Sequence, residues 1–469
     1  MWTKENRGRY DRSRLRYPSD LTDEEWALVA PLITPAKRGG NKRTVDVREV
    51  VNGLMYVLST GCQWRAIPKD LPPRSTVHDY LDLWAWDGTL DRIHHALYVQ
   101  CRELANRVLD ELLDARTLYA APDWKEFAAG LRTQLSRHEG DAERLMDVLR
   151  EAHHAQVFRL LAQDLAGQLT VEVLADHLSA LADLMLAITL ELCWAQLRNR
   201  HRDAPRFAIA AYGKLGGKEL GYASDLDIIF LYDDADARAP ELYSRLAQRI
   251  NTWLTSATPA GVLFETDLRL RPNGASGLMV SSVDAFREYQ EKDAWVWEHQ
   301  ALTRARCSAG DASVGAAFEA ERVAILRRSR ESGALRREVV SMRQQMADAH
   351  PNRGDLFDLK HDRGGMVDIE FIVQYLVLAH AEHYPQLTGN LGNIALLKMA
   401  GELGLIPLAT AMTVRDGYRE YRKVQHAERL NGAQYARVEH APLQRYIEAT
   451  LKLWNIVFAR SATNPDAQG

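Results

Sequence analysis

The sequence predicts an α+β protein, predominantly helical, built around one small mixed sheet. Apolar residues recur at three- and four-residue spacing over most of the chain, as at Val157, Leu160, Leu161 and Leu165, which lines one face of a helix. Short apolar runs at 207–212 and 228–231 are bounded by glycine and charge and read as strands. Helical patterns resume on both sides of them, so the sheet is confined to the middle of the chain.

Composition sets the outer bounds. The 469 residues, 46% hydrophobic and 26% charged, suffice for about three soluble globular domains. A net charge of −4 does not describe a nucleic-acid binder as a whole, although residues 1–104 carry +2 against −6 for the remainder. Cys62, Cys101, Cys193 and Cys307 are far apart and form no C-x-x-C pair. That spacing argues for reduced thiols in a cytoplasmic protein and against a zinc site. The N-terminus is charged and lacks an apolar segment, so it does not read as a signal peptide. The most apolar stretch, 178–194, contains Asp183 and Glu191 and reads as a packed helix, with no membrane role.

In chain order, residues 1–104 stand apart, holding five of the eleven tryptophans (Trp2, Trp26, Trp64, Trp84, Trp86). Thr22 followed by Asp23, Glu24 and Glu25 predicts a capped helix start. A basic loop at 37–43 leads to a helix over 45–59, and after Pro72-Pro73 another begins near Ser75 and runs into Trp84. Helices beside a basic loop suit weak DNA contact; the competing reading is a small helical domain with a solvated loop. Helices are then expected over 105–118, 141–165 and from Thr170 to about Arg198. His153-His154 reads as packing or surface, without a metal role.

Residues 206–325 carry the chemistry. The segment GKLGGKELGYASDLDIIFLYDD at 213–234 places a glycine pair, Gly216-Gly217, before Ser224, Asp225 and Asp227, and then a buried strand. Residues two apart on a strand share a face, so Asp225 and Asp227 point to one spot. Paired carboxylates repel unless a cation lies between them, most simply Mg²⁺ shared with substrate phosphates. A solvated strand end is the alternative for a bare D-x-D. A helix over 239–256, with Leu242, Leu246, Ile250 and Leu254 on its buried stripe, leads to a second strand over 262–270. There Glu265, Asp267, Arg269 and Arg271 alternate and are expected on one face. Asp267 would complete the metal site and orient the attacking hydroxyl. Arg269 and Arg271 would neutralise triphosphate oxygens, and Gly216, Gly217 and Ser224 would approach the phosphates. Asn273, Gly274 and Gly277 would close a loop round the nucleotide. Beyond this, helices are expected over 283–289 and 294–305, a flexible charged stretch over 327–337, a turn over 358–365, an apolar helix over 366–380, two or three more helices to 460, and a disordered tail at 461–469.

Two resemblances add to this reading. The segments RYPSDLTDEEWALVAPLI and STVHDYLDLWAWDGTLDRIHHALYVQCRE resemble the N-terminal region of insertion-sequence transposases, and the likeness ends near Glu103, before that family's catalytic carboxylates. The pattern G-K-L-G-G-x-E-L-x-x-x-S-D-L-D, with DLRLRPNGASG, WEHQALTRAR and DLKHDRGGMVDIEFIVQYLVL, is similar to the glutamine synthetase adenylyltransferases, which have a polymerase-β-like nucleotidyltransferase core. That likeness runs from about residue 105 to 460 and points to the C-terminal, adenylylating half of a two-centred enzyme. It implies ATP and Mg²⁺, metal-binding Asp225, Asp227 and Asp267, glutamine synthetase as protein substrate and a PII signalling protein as partner. The expected domains are 1–104, a transposase-like fragment; 105–205, a helical lead-in; 206–325, the catalytic core; and 326–460, a C-terminal helical bundle. The adenylyl-removing half is expected to be missing, the two families being joined near 103–108. Three roles follow to be weighed: AMP transfer, a DNA-binding remnant without chemistry, or an inactive fragment that binds glutamine synthetase or PII. Glu298 is expected to support the nucleotide pocket or pair with Arg304 or Arg306, and Lys360, Asp368 and Glu370 to form a cap and surface charge cluster, with contact to the nucleotide or protein substrate as the alternative.

Overall fold

A computed structural model describes residues 15–17, 19–33, 45–60, 65, 67–90, 92–93, 96–97, 119–431, 433 and 435–459. It divides the chain into two compact units, Met1–Leu118 and Tyr119–Gly469. The basic loop at 37–43, the helix expected over 105–118, the 103–108 junction and the tail at 461–469 lie outside the described residues.

The first unit holds helices α1 (Asp23–Val29), α2 (Val47–Thr60) and α3 (Arg74–Trp86). Thr22 accepts from the Glu25 amide while Glu25 reaches back to the Thr22 amide, a reciprocal cap that satisfies two otherwise orphaned donors. Leu21, Val29, Val50, Val51, Leu54, Val77 and Trp84 form its own apolar core.

The second unit opens with helices α4 (Trp124–Ser136), α5 (Ala142–Leu165) and α6 (Val171–Ala195). Asp123, Asp141 and Thr170 cap them in turn. Helix α6 is long and apolar enough to cross a membrane, but Leu174, Leu178, Leu181, Met185 and Leu186 are buried in a core shared with the sheet. Strand β1 (Phe207–Ala211) runs antiparallel to β2 (Leu226–Tyr232) and β5 (Arg306–Gly310); β3 (Thr266–Asp267) and β4 (Val280–Ser282) both lie parallel to β2 on its other edge. Between them come a single turn α7 (Gly213–Gly216), then α8 (Ala239–Thr255), α9 (Val283–Lys292) and α10 (Val296–Leu302).

The period-two pattern of β1 and β2 separates two cores. Phe207, Ile209, Leu226, Ile228 and Phe230 pack with α5, α6 and α8. Ala208, Ala210, Ile229 and Leu231 join the core of the C-terminal helices. These are α11 (Ala312–Leu326), α12 (Ser332–Ala349), α13 (Met366–His380), α14 (Asn393–Glu402), α15 (Leu408–Leu430) and α16 (Gln444–Phe458), with a two-residue ladder β6 (Phe357–Asp358) and β7 (Arg437–Val438). Asp227 shares the face of Ile229 and Leu231, so strand periodicity turns it towards the C-terminal helices.

Several expectations are corrected. The strand expected over 262–270 is only Thr266–Asp267, because the chain turns at once: the Arg269 amide bonds the Asp267 carboxylate and the Arg271 amide bonds the Leu268 carbonyl. The four charges from Glu265 to Arg271 therefore do not line one face. The stretch at 327–337 is largely ordered into α12, whose first turn is capped by Glu331 on the Gly333 and Ala334 amides. Strand β5, RCSAG, falls in a segment with no strand signal, since it holds no β-branched or aromatic residue.

Candidate active site

Asp225 and Asp227 flank Leu226 at the start of β2, and Asp227 is in register with Asp267 across the parallel β2–β3 pair. The turn α7 lies directly beneath. Gly213 is left-handed at φ +56°, and a Cβ there would lie 2.1 Å from the Asp227 Oδ2. Only glycine lets the backbone pass under that carboxylate at this φ. The neighbours also set the charge of Asp227: burial first, then Asp225 and Asp267, push its pKa up to about 6, against the pull of Arg304 and Lys214.

The three aspartates are close enough to repel but do not converge. Among the described residues no three His, Cys, Asp or Glu side chains form a group that could hold a metal ion. The reason is local. Arg269 Nε donates to the Asp267 carboxylate at 2.9 and 3.0 Å, and this pairing holds the Asp267 pKa below the usual carboxylate range. Arg271 instead donates to the carbonyls of Leu268, Ala275 and Gly277. It thus pins the loop in which Asn273 (φ +61°) and Gly274 (φ +57°) are left-handed.

The glycine pair also has a different place from the one expected. A Cβ on Gly216 would lie 2.1 Å from the Arg304 carbonyl oxygen and 2.6 Å from that of Ala211; one on Gly217 would lie 2.9 Å from Arg304 Nε. Gly216 is buried. The pair allows close packing on Arg304, and the residue of this turn that reaches Ser224 is Lys214, with Nζ 3.3 Å from Oγ.

Arg304 is the hub of a buried network. Its guanidinium meets Glu219 at 2.6 Å and Glu370 at 2.9 Å. Burial opposes its charge, but the two carboxylates outweigh this and its pKa is raised. Glu219 also accepts from the Asn393 amide and side chain and from the Tyr418 hydroxyl, which bonds Glu370 as well. The glycine turn is thereby tied to α13, α14 and α15. Glu370 is thus not part of a surface cluster. Neither is Asp368, fully buried and paired with Arg343 at 2.6 Å and Arg363 at 2.9 Å. Glu298 pairs with neither Arg304 nor Arg306; it accepts from Tyr289 Oη and the Trp295 amide, as an N-terminal cap of α10.

Beside Ser224 and Asp225 opens a cavity of about 230 Å³. Lys214, Tyr222, Lys360, Arg422, His426 and Arg429 are among the residues that line it. Lys214 and Glu219 stand in the glycine motif, but their roles depend on tertiary partners that the motif does not show. The α15 residues left a legible signal that went unused: Arg422, Gln425, His426 and Arg429 follow helical spacing on one face.

A D-x-D strand in register with a third aspartate, in a small mixed sheet backed by helices, makes this an α+β chain of the nucleotidyltransferase type. Comparisons give it a narrower place. Residues 97–321 match the model of glutamate-ammonia ligase adenylyltransferase. Residues 338–438 match that of the GlnD PII-uridylyltransferase, and residues 21–94 that of the IS4/5 transposases. The chain is 62% identical over 353 residues to the bifunctional glutamine synthetase adenylyltransferase/adenylyl-removing enzyme of Aromatoleum aromaticum, covering 75% of this chain and 37% of the relative. It is 52% identical over 438 residues to the protein of the same name from Chromobacterium violaceum, covering 93% and 47%, an alignment that necessarily reaches into the first hundred residues. With the Burkholderia pseudomallei protein of that name it shares 56% over 358 residues, covering 75% and 38%. The chain thus spans less than half the length of these relatives.

Proposed function

We propose that this chain transfers AMP from ATP to a tyrosine of glutamine synthetase, releasing pyrophosphate. The observation that carries the reading is the register of Asp227 with Asp267 beside Asp225, in a segment whose relatives are named for that reaction. The tyrosine oxygen attacks the α-phosphorus; the bond from that phosphorus to the bridging oxygen breaks, and pyrophosphate leaves with the electron pair. Asp267, kept ionised by Arg269, accepts a hydrogen bond from the phenol and orients it, and the phenolic proton passes through it to solvent. Lys214 beside Ser224 supplies positive charge at the donor.

The donor set suits Mg²⁺. Hard carboxylate oxygens are its usual ligands, and the mutual repulsion that raises Asp227 is what a divalent cation relieves. Asp225 and Asp227 would hold it, joined by Asp267 once that carboxylate turns from Arg269, and it would supply neutralisation of phosphate charge. ATP and a metabolic enzyme as substrates place the reaction in the cytoplasm. A PII protein is the partner in keeping with the uridylyltransferase-like match over 338–438.

The test is incubation with α-labelled ATP, Mg²⁺ and glutamine synthetase. Label should reach glutamine synthetase with the native chain and fall at least about a thousandfold with Asp227→Asn. Binding of glutamine synthetase without label would leave only a docking fragment.

A further inference from the structure

The described residues include six buried arginines: Arg150, Arg304, Arg306, Arg322, Arg343 and Arg422. Five have charged or carbonyl partners in the protein, although Arg304 Nε, Arg306 Nε and Arg322 Nη1 each remain without a hydrogen bond. Arg150 bonds the carbonyls of Met146, Trp253, Ser256 and Gly261; Arg304, Arg306, Arg322 and Arg343 meet carboxylates. Arg422 differs. It is 3% exposed, its Nη2 is buried without a hydrogen-bond partner, and no carboxylate pairs with it among the described residues. A buried unpaired charge is costly, so its counter-ion is to be sought outside the chain.

Arg422 lines the cavity beside Asp225. Tyr418 lies one turn before it and bonds Glu219 and Glu370; His426 and Arg429 lie one and two turns after. This face of α15 therefore runs from the buried ion network along the cavity wall. Lys360 and Lys214 also reach the cavity. Its two glutamates, Glu219 and Glu370, are both committed to Arg304. The cations also disfavour one another. Burial, then Arg422 and Lys214, push His426 down to about 4, and burial, then Lys360, lower Lys214. An anion with several charges, wider than a single phosphate, fits such a wall.

We infer that Arg422, with Lys360 and Arg429, binds the β- and γ-phosphates of the donor nucleotide, so that the leaving pyrophosphate is received by helix α15 and not by the Gly216-Gly217 turn. This rests on the reading of ATP as donor, but it assigns the polyphosphate to a helix outside the sheet domain.

The test is calorimetric binding of ATP, AMP and inorganic tripolyphosphate, each with Mg²⁺, to the full chain, its Arg422→Met variant and its Arg429→Gln variant at the cavity rim. Arg422→Met should weaken ATP and tripolyphosphate at least tenfold, leave AMP within twofold, and be partly restored by Arg422→Lys. Arg429→Gln should weaken both polyphosphates about threefold, and it decides the matter if Arg422→Met does not fold. Unchanged tripolyphosphate binding, or equal loss of ATP and AMP, overturns the inference. Tripolyphosphate binding that depends on Arg422 in a chain that never labels glutamine synthetase would sustain it while the AMP-transfer reading fails. Labelling with an unchanged KM for ATP in Arg422→Met would do the reverse.

Discussion

Asp227 is the residue whose charge the fold opposes most plainly at the site. Its pKa is raised to about 6 from an ordinary value near 4, by burial, Asp225 and Asp267. Between those two pH values the folded chain binds a proton that the unfolded chain has lost, so stability falls as pH rises through this window. The penalty is absent below pH about 4 and complete above pH about 6. Two units correspond to at most about 3 kcal/mol, and solvent at this half-buried site reduces that to roughly 1–2 kcal/mol. In Mg²⁺-free buffer at pH 7, Asp227→Asn should therefore be more stable than the native chain by this amount, with the difference closing at pH 4. Urea denaturation across that range checks it. Saturating Mg²⁺ should narrow the gap at pH 7, since binding to the folded state favours the native carboxylate.

At the scale of the element, α7 and the ion network beneath it decide how firmly the aspartates are held. Gly216→Ala places a Cβ against two backbone carbonyls, which cannot move aside separately, whereas Gly217→Ala meets the side chain of Arg304. The first should cost about 3 kcal/mol and the second about 1 kcal/mol or less, measured by thermal melting. Glu219→Gln removes one of the two charges facing Arg304. A loss of about 3 kcal/mol is expected, and Arg304→Met should restore part of it in the double variant, as a double-mutant cycle would show. The D-x-D strand was legible in the sequence because period-two burial is a local property: Leu226 and Ile228 one way, Asp227 and Ile229 the other. The same alternation misled at 262–270, where charges spaced by two suggested a long strand but the Asp267 side chain caps a turn two residues on. Asp225, Asp227 and Asp267 could be named from spacing and resemblance. The partners of Arg304 could not, since Glu219, Glu370, Asn393 and Tyr418 meet only through tertiary packing.

For the whole molecule, the division at Leu118 and Tyr119 separates two sets of buried side chains. Among the described residues every buried member of the two larger cores lies at residue 131 or beyond, and the first unit has its own core. A chain lacking residues 1–118 should therefore melt within about 2 °C of the second transition of the full chain, because no apolar packing described for those cores is lost. It should also label glutamine synthetase within about twofold of the full chain. Calorimetry and α-labelled ATP test the two expectations. The helical make-up of each unit was readable from apolar spacing, down to the 15 residues of α13. What the spacing did not carry was the tie of α13, α14 and α15 to the glycine turn through Glu370, Asn393 and Tyr418.

The tie from Glu219 through Arg304 to Glu370, Asn393 and Tyr418 bears on where such a gene tolerates a break. The family matches over 97–321 and 338–438 look like two interchangeable cassettes. Yet a boundary placed between them would put Arg304 and Glu219 on one product and three of their companions on the other. Each product would inherit half of a largely buried polar knot. Shuffling at that seam should give insoluble pieces, whereas replacement of the sequence upstream of residue 119 leaves the knot whole. Relatives of one name align across the second boundary, so only the upstream join is a workable splice.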